Sequence, residues 1–242
     1  MKNRCYPTAL IMLLTCYLAA CQKNAVNPQS AASLIIVNAI PGAAALVPNF
    51  YNGSKLQYYK GAKQITANSF VEFGGYTGNY TLSLSQFTDT LHTVYKGNLL
   101  LAPATYQTLF ITGTLAAPDS VLTHDNIKAV TDSAVNVRFV NVSTNSLPVS
   151  INLQGSQASP LVTGLPYRGA TAFIPFVVKK GIPASGNYVF EIRDVATAKL
   201  LTTYTLSAVN PNYIFKSVTV AFKGVPGGTG TNAQGTILVK HF

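Results

Sequence analysis

The chain contains no tryptophan, only three cysteines and three histidines, and only seven acidic residues in 242 positions. Each scarcity excludes something. Cys5, Cys16 and Cys21 all fall in the first 21 residues, so the body of the chain can form no disulfide and offers no thiol nucleophile or thiolate metal ligand. The histidines (His92, His124, His241) and the acids (Glu72, Asp89, Asp119, Asp125, Asp132, Glu191, Asp194) are thinly spread. His124-Asp125, with Asp119 and Asp132 nearby, is the densest titratable cluster; its competing reading is a solvated connector. Asp89 and His92 lie beside Thr88 and Thr90 but lack the serine turn of a hydrolase, and Glu72 and Glu191 fall in separate halves of the chain. The sequence therefore predicts no enzyme, no catalytic residue, no metal site and no cofactor. The shortage of acids, more than any basic cluster, produces the formal charge of +10. Lys179-Lys180 is the only adjacent basic pair, which argues against a nucleic-acid surface, since that needs Lys and Arg gathered on one face. Helical apolar stripes are also missing: no window keeps an i, i+3, i+4, i+7 pattern free of glycine and β-branched residues.

What is present begins at the amino terminus. Lys2 and Arg4 precede an apolar run that ends in Leu18-Ala19-Ala20-Cys21, the order of a secretory signal too short to span a bilayer comfortably. The last four residues resemble the lipobox of bacterial lipoproteins. That resemblance implies cleavage before Cys21, acylation of Cys21, and attachment to a membrane through its acyl chains; an ordinary signal peptide or an uncleaved helix is the competing reading. Residues 21–32 read as a polar tether. No acidic run follows Cys21, which favours the periplasmic face of an outer membrane over the cell surface.

The remainder repeats. Ser33-Leu34-Ile35-Ile36-Val37-Asn38 answers Asn136-Val137-Arg138-Phe139-Val140-Asn141, Phe50-Tyr51-Asn52-Gly53-Ser54 answers Asn152-Leu153-Gln154-Gly155-Ser156, and Gly78-Asn79-Tyr80 answers Gly186-Asn187-Tyr188. A fourth pair, Pro103-Ala104-Thr105-Tyr106 and Pro211-Asn212-Tyr213, precedes an apolar stretch in each half. Four matches in one order indicate duplication of a unit of about a hundred residues, the size of a small sandwich rather than a solenoid repeat. Within it Tyr80, Leu82 and Leu84 alternate with Thr81, Ser83 and Ser85, and Val137 and Phe139 alternate with Asn136 and Arg138, the period of strands with one apolar and one polar face. Asn52-Gly53 suits a two-residue hairpin turn. The expected fold is all-β: two tandem antiparallel β-sandwiches over residues 33–115 and 134–242, after a signal peptide at 1–20 and a tether at 21–32, with a connector at 116–133. Gly224 to Gly235 reads as a loop before a last strand; because no helix follows it, its glycines do not make a phosphate cradle.

An opening strand that ends in Asn, an Asn-Gly turn, a Gly-Asn-Tyr strand start and a Pro-containing turn before Tyr together resemble the DUF4397 family. The resemblance covers residues 33 to 222 and implies immunoglobulin-like or transthyretin-like sandwiches, tandem occurrence in bacterial envelope lipoproteins, and no established activity. It carries over no functional residue. In the first unit Ile40-Pro41-Gly42-Ala43-Ala44-Ala45 replaces the family's Ser-Pro-Asp-Ala-Pro, and the second unit lacks those Pro and Asp residues.

The residues therefore suggest a non-enzymatic binding or interaction module, held to the envelope through Cys21, whose partner is an envelope protein or a glycan. Tyr58-Tyr59, with Asn52 and Gln57 beside them, are the candidate glycan contacts; filling a sandwich core is the competing use of those rings. Asp89-Thr90-Leu91, Asp119-Ser120-Val121 and Asp132-Ser133-Ala134 resemble a short O-glycosylation acceptor, which makes Thr90, Ser120 and Ser133 candidate modification sites. A hydrolase built on His92 or His124, and a subunit extended by exchange of the terminal strand around Ile237-Leu238-Val239, are the remaining alternatives.

Overall fold

The computed structural model describes residues 30–50, 61–127, 133–178, 183 and 185–241. The expected signal segment, Cys21, nearly all of the tether and the Asn52-Gly53 turn lie outside them. Ala31–Phe242 forms one compact unit. Its first half contains β1 (Ala31–Asn38), β2 (Leu46–Asn49), β3 (Ser69–Tyr76), β4 (Gly78–Gln86), β5 (Asp89–Leu101), β6 (Tyr106–Gly113) and β7 (Pro118–His124). The second half contains β8 (Ala134–Asn141), β9 (Val149–Leu153), β10 (Val162–Leu165), β11 (Ile174–Val177), β12 (Asn187–Asp194), β13 (Leu200–Ser207), β14 (Ser217–Lys223) and β15 (Gly235–His241).

The duplication is visible in strand order. The first sandwich pairs a sheet β3-β1-β6-β7 with a sheet β2-β4-β5, and the second pairs β11-β8-β14-β15 with β10-β9-β12-β13. Pairing is antiparallel except for β1 with β6 and β8 with β14, which are parallel. Strand β10 occupies the place where, among the described residues, the first sandwich has the isolated bridge of Ile65 to Leu46. Each opening strand ends in a buried asparagine that ties its sheet to the following loop. Asn38 Nδ2 donates to the carbonyls of Ala44 (2.9 Å) and Ile65 (3.2 Å), and Asn141 Nδ2 donates to the carbonyl of Leu165 (3.1 Å) and to Ser146 Oγ (3.0 Å). The buried amide is itself satisfied by these carbonyls and so fixes the loop against the strand end, which explains why both copies of the unit carry Asn there.

Among the described residues three apolar clusters hold the fold together. Leu34, Ile36, Leu82, Leu84, Leu109 and Ile111 fill the first sandwich, and Val137, Phe139, Ile151, Phe190, Val220 and Phe222 fill the second. The third lies between them: Ile35, Val37 and Phe110 from one sheet pack against Val140, Ala221 and Val239 from the other. Strand β1 is thus buried on both faces, Leu34 and Ile36 toward its own core and Ile35 and Val37 toward the seam, which is why it reads as a continuous apolar run.

This seam corrects two expectations. The face of β8 that carries Asn136 and Arg138 reads as the polar one, yet it abuts the other sandwich, and Arg138 is 3% exposed. The segment 116–133, expected as a connector, contains β7, which continues the first sandwich by hydrogen bonding to β6 from Gly113↔Pro118 to Gln107↔His124. Its alternation is masked by polarity, because Thr123 and, just past its end, Asp125 are buried in the seam although they are residues of the kind a solvent-facing sheet carries. The fourth sequence match is also displaced: Tyr106 begins β6, whereas Tyr213 sits in the turn before β14.

Candidate functional site

Register defines which residues of the two halves correspond at the seam. Ser33 pairs with Tyr106 and Asn136 pairs with Ser217, and these two residues in turn pair with Asp125, through the Asp125 N–H to Tyr106 carbonyl bond (2.8 Å), and with His241. Asp125 and His241 are therefore equivalent positions of the two repeats, as are Ile35 and Arg138, and Thr108 and Thr219. The equivalent pair meets across the seam, with His241 Nδ1 3.6 Å from Asp125 Oδ2.

Around that point lies a buried polar cluster. Arg138 Nη1 contacts Asp125 Oδ1 at 2.7 Å, both side chains being almost fully enclosed. Asp125 also accepts from Thr108 Oγ1 (2.6 Å) and Thr123 Oγ1 (3.0 Å), so the carboxylate is hydrogen-bonded as well as paired, the condition under which a buried charge is tolerated. Arg138 Nε donates to Thr219 Oγ1 (3.0 Å), which lies 2.8 Å from His241 Nε2. The ring of Phe173 covers the guanidinium at 4.8 Å and meets the imidazole edge-on. Burial lowers Arg138 from its ordinary value, opposed by the charge of Asp125. Burial pushes His241 down to about 4, partly opposed by Asp125, so the ring is neutral near pH 7. His241 Nδ1 and Arg138 Nη2 are buried without a hydrogen-bond partner.

The cluster opens outward at the end of the seam. A recess of about 150 Å³ is lined by Ser33, Glu72, Tyr106, Asp125 and His241. A shallower groove of about 310 Å³ continues from it past Tyr106 and Asp125 to Thr105, His124 and Asn126. Ser33 Oγ donates to Glu72 Oε1 at 2.7 Å, and Tyr106 is 49% exposed. Two of the seven acids of the chain thus share one recess, beside an exposed aromatic ring and a neutral imidazole.

The residues singled out in the sequence fall elsewhere. Cys21, Asn52, Gln57, Tyr58 and Tyr59 lie outside the described residues. Thr90 is half-buried in the β4–β5 hairpin. Asp89 and His92 do meet there, His92 Nδ1 to Asp89 Oδ2 at 2.7 Å, but on an open turn with the imidazole 84% exposed. The same carboxylate accepts from the backbone N–H groups of Leu91 and His92, and these bonds, led by the His92 side chain, hold it below the usual carboxylate range. Ser120 lies within β7 and accepts a hydrogen bond from the Tyr95 hydroxyl (3.1 Å); the neighbouring Asp119 faces Arg168 across the seam at 3.4 Å. Ser133 precedes β8, with its carbonyl accepting from Val178 N–H (2.7 Å). Of the pair His124-Asp125, His124 is exposed as the connector reading implied, whereas Asp125 is buried and ion-paired. Glu72 and Glu191 remain apart, Glu191 being held by Arg193 at 3.0 Å in the second sandwich. Sequence reasoning missed Arg138, Tyr106 and His241 as members of one site. The available signal was Arg138 itself, a lone charge inside Val-Asn-Val-Arg-Phe-Val.

Among the described residues no group of three or more His, Cys, Asp or Glu side chains is placed to hold a metal ion, and no helix is long and apolar enough to cross a membrane. No curated protein matches the chain. Among solved structures it is similar to a family 26 carbohydrate-binding module of Eubacterium rectale, solved with maltoheptaose (10% identity, 88% of this chain and 97% of that one, TM-score 0.26). It is also similar to the TIE protein of Bacillus anthracis (10%, 80% and 34%, 0.23) and to an adhesin-like protein of Bacteroides ovatus (12%, 89% and 96%, 0.25). Superposition at that level carries no argument about ligand. The model of the DUF4397 family, a domain of unknown function, matches residues 32–152, which takes in the first sandwich from the second residue of β1 onward, β8 and all but the end of β9, and stops short of the rest of the second sandwich, which repeats its strand order. That is half of the chain, and the chain belongs to the DUF4397 family.

Proposed function

We propose that this chain is a non-enzymatic binding module of the bacterial envelope, tethered to a membrane through lipid on Cys21. The seam carries the reading. An apolar cluster with a buried ion pair joins the two sandwiches, so the loops and the recess of both are presented as one rigid surface rather than as two domains on a flexible string. The titratable groups support a binding role: Asp89 and His92 stand on an open turn, His124 is exposed, and His241 is engaged by Thr219. A basic chain behind a polar tether also suits an anionic membrane surface.

Crosslinking in intact cells followed by mass spectrometry, with Cys21→Ser as the unanchored control, tests this. Reproducible links to one envelope component that vanish in the control are expected. A Cys21→Ser protein that stays in the membrane fraction with unchanged links would overturn the anchor. A narrower reading, a glycan-binding accessory lipoprotein, draws on Tyr58-Tyr59 with Asn52 and Gln57; screening a glycan array with Tyr58→Ala/Tyr59→Ala checks it, with loss of retained glycans expected.

A further inference from the structure

The polar atoms at the mouth of the seam form a pattern that one kind of group completes. Arg138 can only donate, so Thr219 Oγ1 accepts from its Nε, and the arrangement that gives the Thr219 hydroxyl proton an acceptor is donation to His241 Nε2, 2.8 Å away. The imidazole proton then sits on Nδ1. That atom is buried without a partner, in a residue that is 2% exposed and lines the recess. Asp125 Oδ2 lies 3.6 Å from it, too far for a direct hydrogen bond, and both residues line the recess. A group that accepts from Nδ1–H and donates to the carboxylate would satisfy both. An anion cannot donate and would meet Asp125 and Glu72. An ammonium group cannot accept from Nδ1–H. A hydroxyl does both.

The surroundings extend the pattern. Tyr106 stands 49% exposed where recess and groove join, an apolar face with a polar rim formed by Ser33 and Glu72 on one side and by His124 and Asn126 on the other. The groove, at about 310 Å³, reaches the lower end of the range of small-ligand sites and the recess extends it, and few polar groups around an aromatic wall is the usual composition of such sites. We propose that recess and groove together bind a neutral saccharide, with one hydroxyl seated between His241 Nδ1 and Asp125 Oδ2 and the sugar ring lying against Tyr106. This rests on the reading of the chain as a binding module and moves the carbohydrate contact from the Tyr58-Tyr59 pair to the seam.

The experiment uses the chain carrying Cys21→Ser, with His241 followed by long-range proton–nitrogen NMR. Methyl mannoside, methyl galactoside and N-acetylglucosamine are the probes, and n-butylammonium and acetate the charged controls. The expected result is a saturable shift of the His241 nitrogens with at least one saccharide and with neither control. Tyr106→Ala should weaken that binding by at least about tenfold and Tyr106→Phe should retain it; the side chain is half exposed, so neither change threatens the fold, and a circular dichroism spectrum checks this. Absence of any saturable shift at millimolar saccharide on folded protein means that only water fills the gap and overturns the proposal. A shift that Tyr106→Ala leaves unchanged, or one that butylammonium reproduces, overturns it as well. Envelope crosslinks that persist in a Tyr106→Ala chain retaining Cys21 while the saccharide arm fails leave the binding-module reading standing; loss of both arms removes both.

Discussion

Arg138 and Asp125 carry opposite charges where neither reaches water, and such a pair costs much to break and little to replace. Asp125→Asn leaves the guanidinium buried without a counter-charge and is expected to lower stability by about 3–5 kcal/mol, read from urea denaturation. Arg138→Ile, which places at β8 the residue found at the equivalent position of β1, should cost a similar amount alone. Combined with Asp125→Val it should cost clearly less than either single change. A double variant as unstable as the sum would show that the pair itself, rather than the orphaned charge, supplies the stability. His241 adds a pH dependence. Its pKa is about 4 when folded against 6.5 for an ordinary histidine, so the unfolded chain takes up the proton first. Stability is full above about pH 6.5 and falls as pH drops toward 4, by about 3 kcal/mol in all. His241→Gln should flatten that decline; wild-type protein with an equally flat urea midpoint from pH 7 to 4 would contradict the buried neutral imidazole.

At the scale of elements, the β6–β7 turn and the turn after β14 are repeats of one device. Gly113 and Gly224 both have positive φ, +79° and +91°, and a Cβ at either would collide with a backbone carbonyl, that of Ala117 or Ala233. Alanine at either position is both left-handed and crowded, and each substitution is expected to cost more than about 1 kcal/mol, measured by thermal unfolding. Gly227, with positive φ and open space around it, should lose less with Ala. The strands themselves were legible: the alternation of Tyr80, Leu82 and Leu84 marks β4, and the repeated run ending in Asn marks β1 and β8. Strand β7 was not legible. Asp119, Ser120, Thr123 and His124 read as solvent-facing residues, and periodicity reports which side chains share a face without reporting what that face meets.

For the whole molecule the seam determines how unfolding is coupled. Removing either sandwich would expose Ile35, Val37 and Phe110 or their counterparts to water, so the two are expected to unfold in one transition rather than two. Phe110→Ala, a fully buried side chain in the third cluster, is expected to cost about 3–5 kcal/mol and to lower the midpoint reported by residues of both sandwiches alike in hydrogen exchange. A separate early loss of protection in β8–β15 with β1–β7 unchanged would contradict a joined core.

The amino-acid order by itself determined the β class, the duplication, the positions of most strands and the lipobox resemblance at Cys21, because these depend on local periodicity, turn chemistry and short contiguous motifs. Only tertiary structure decided that the polar-reading faces of β7 and β8 are interior. It also brought Asp125 and Arg138, on facing sheets, together with His241 from the far end of the chain. The physical reason is that a charged residue on an alternating strand looks the same whether its partner is water or a complementary charge on another sheet. Which of the two it meets depends on the packing of sheets, which no local pattern records.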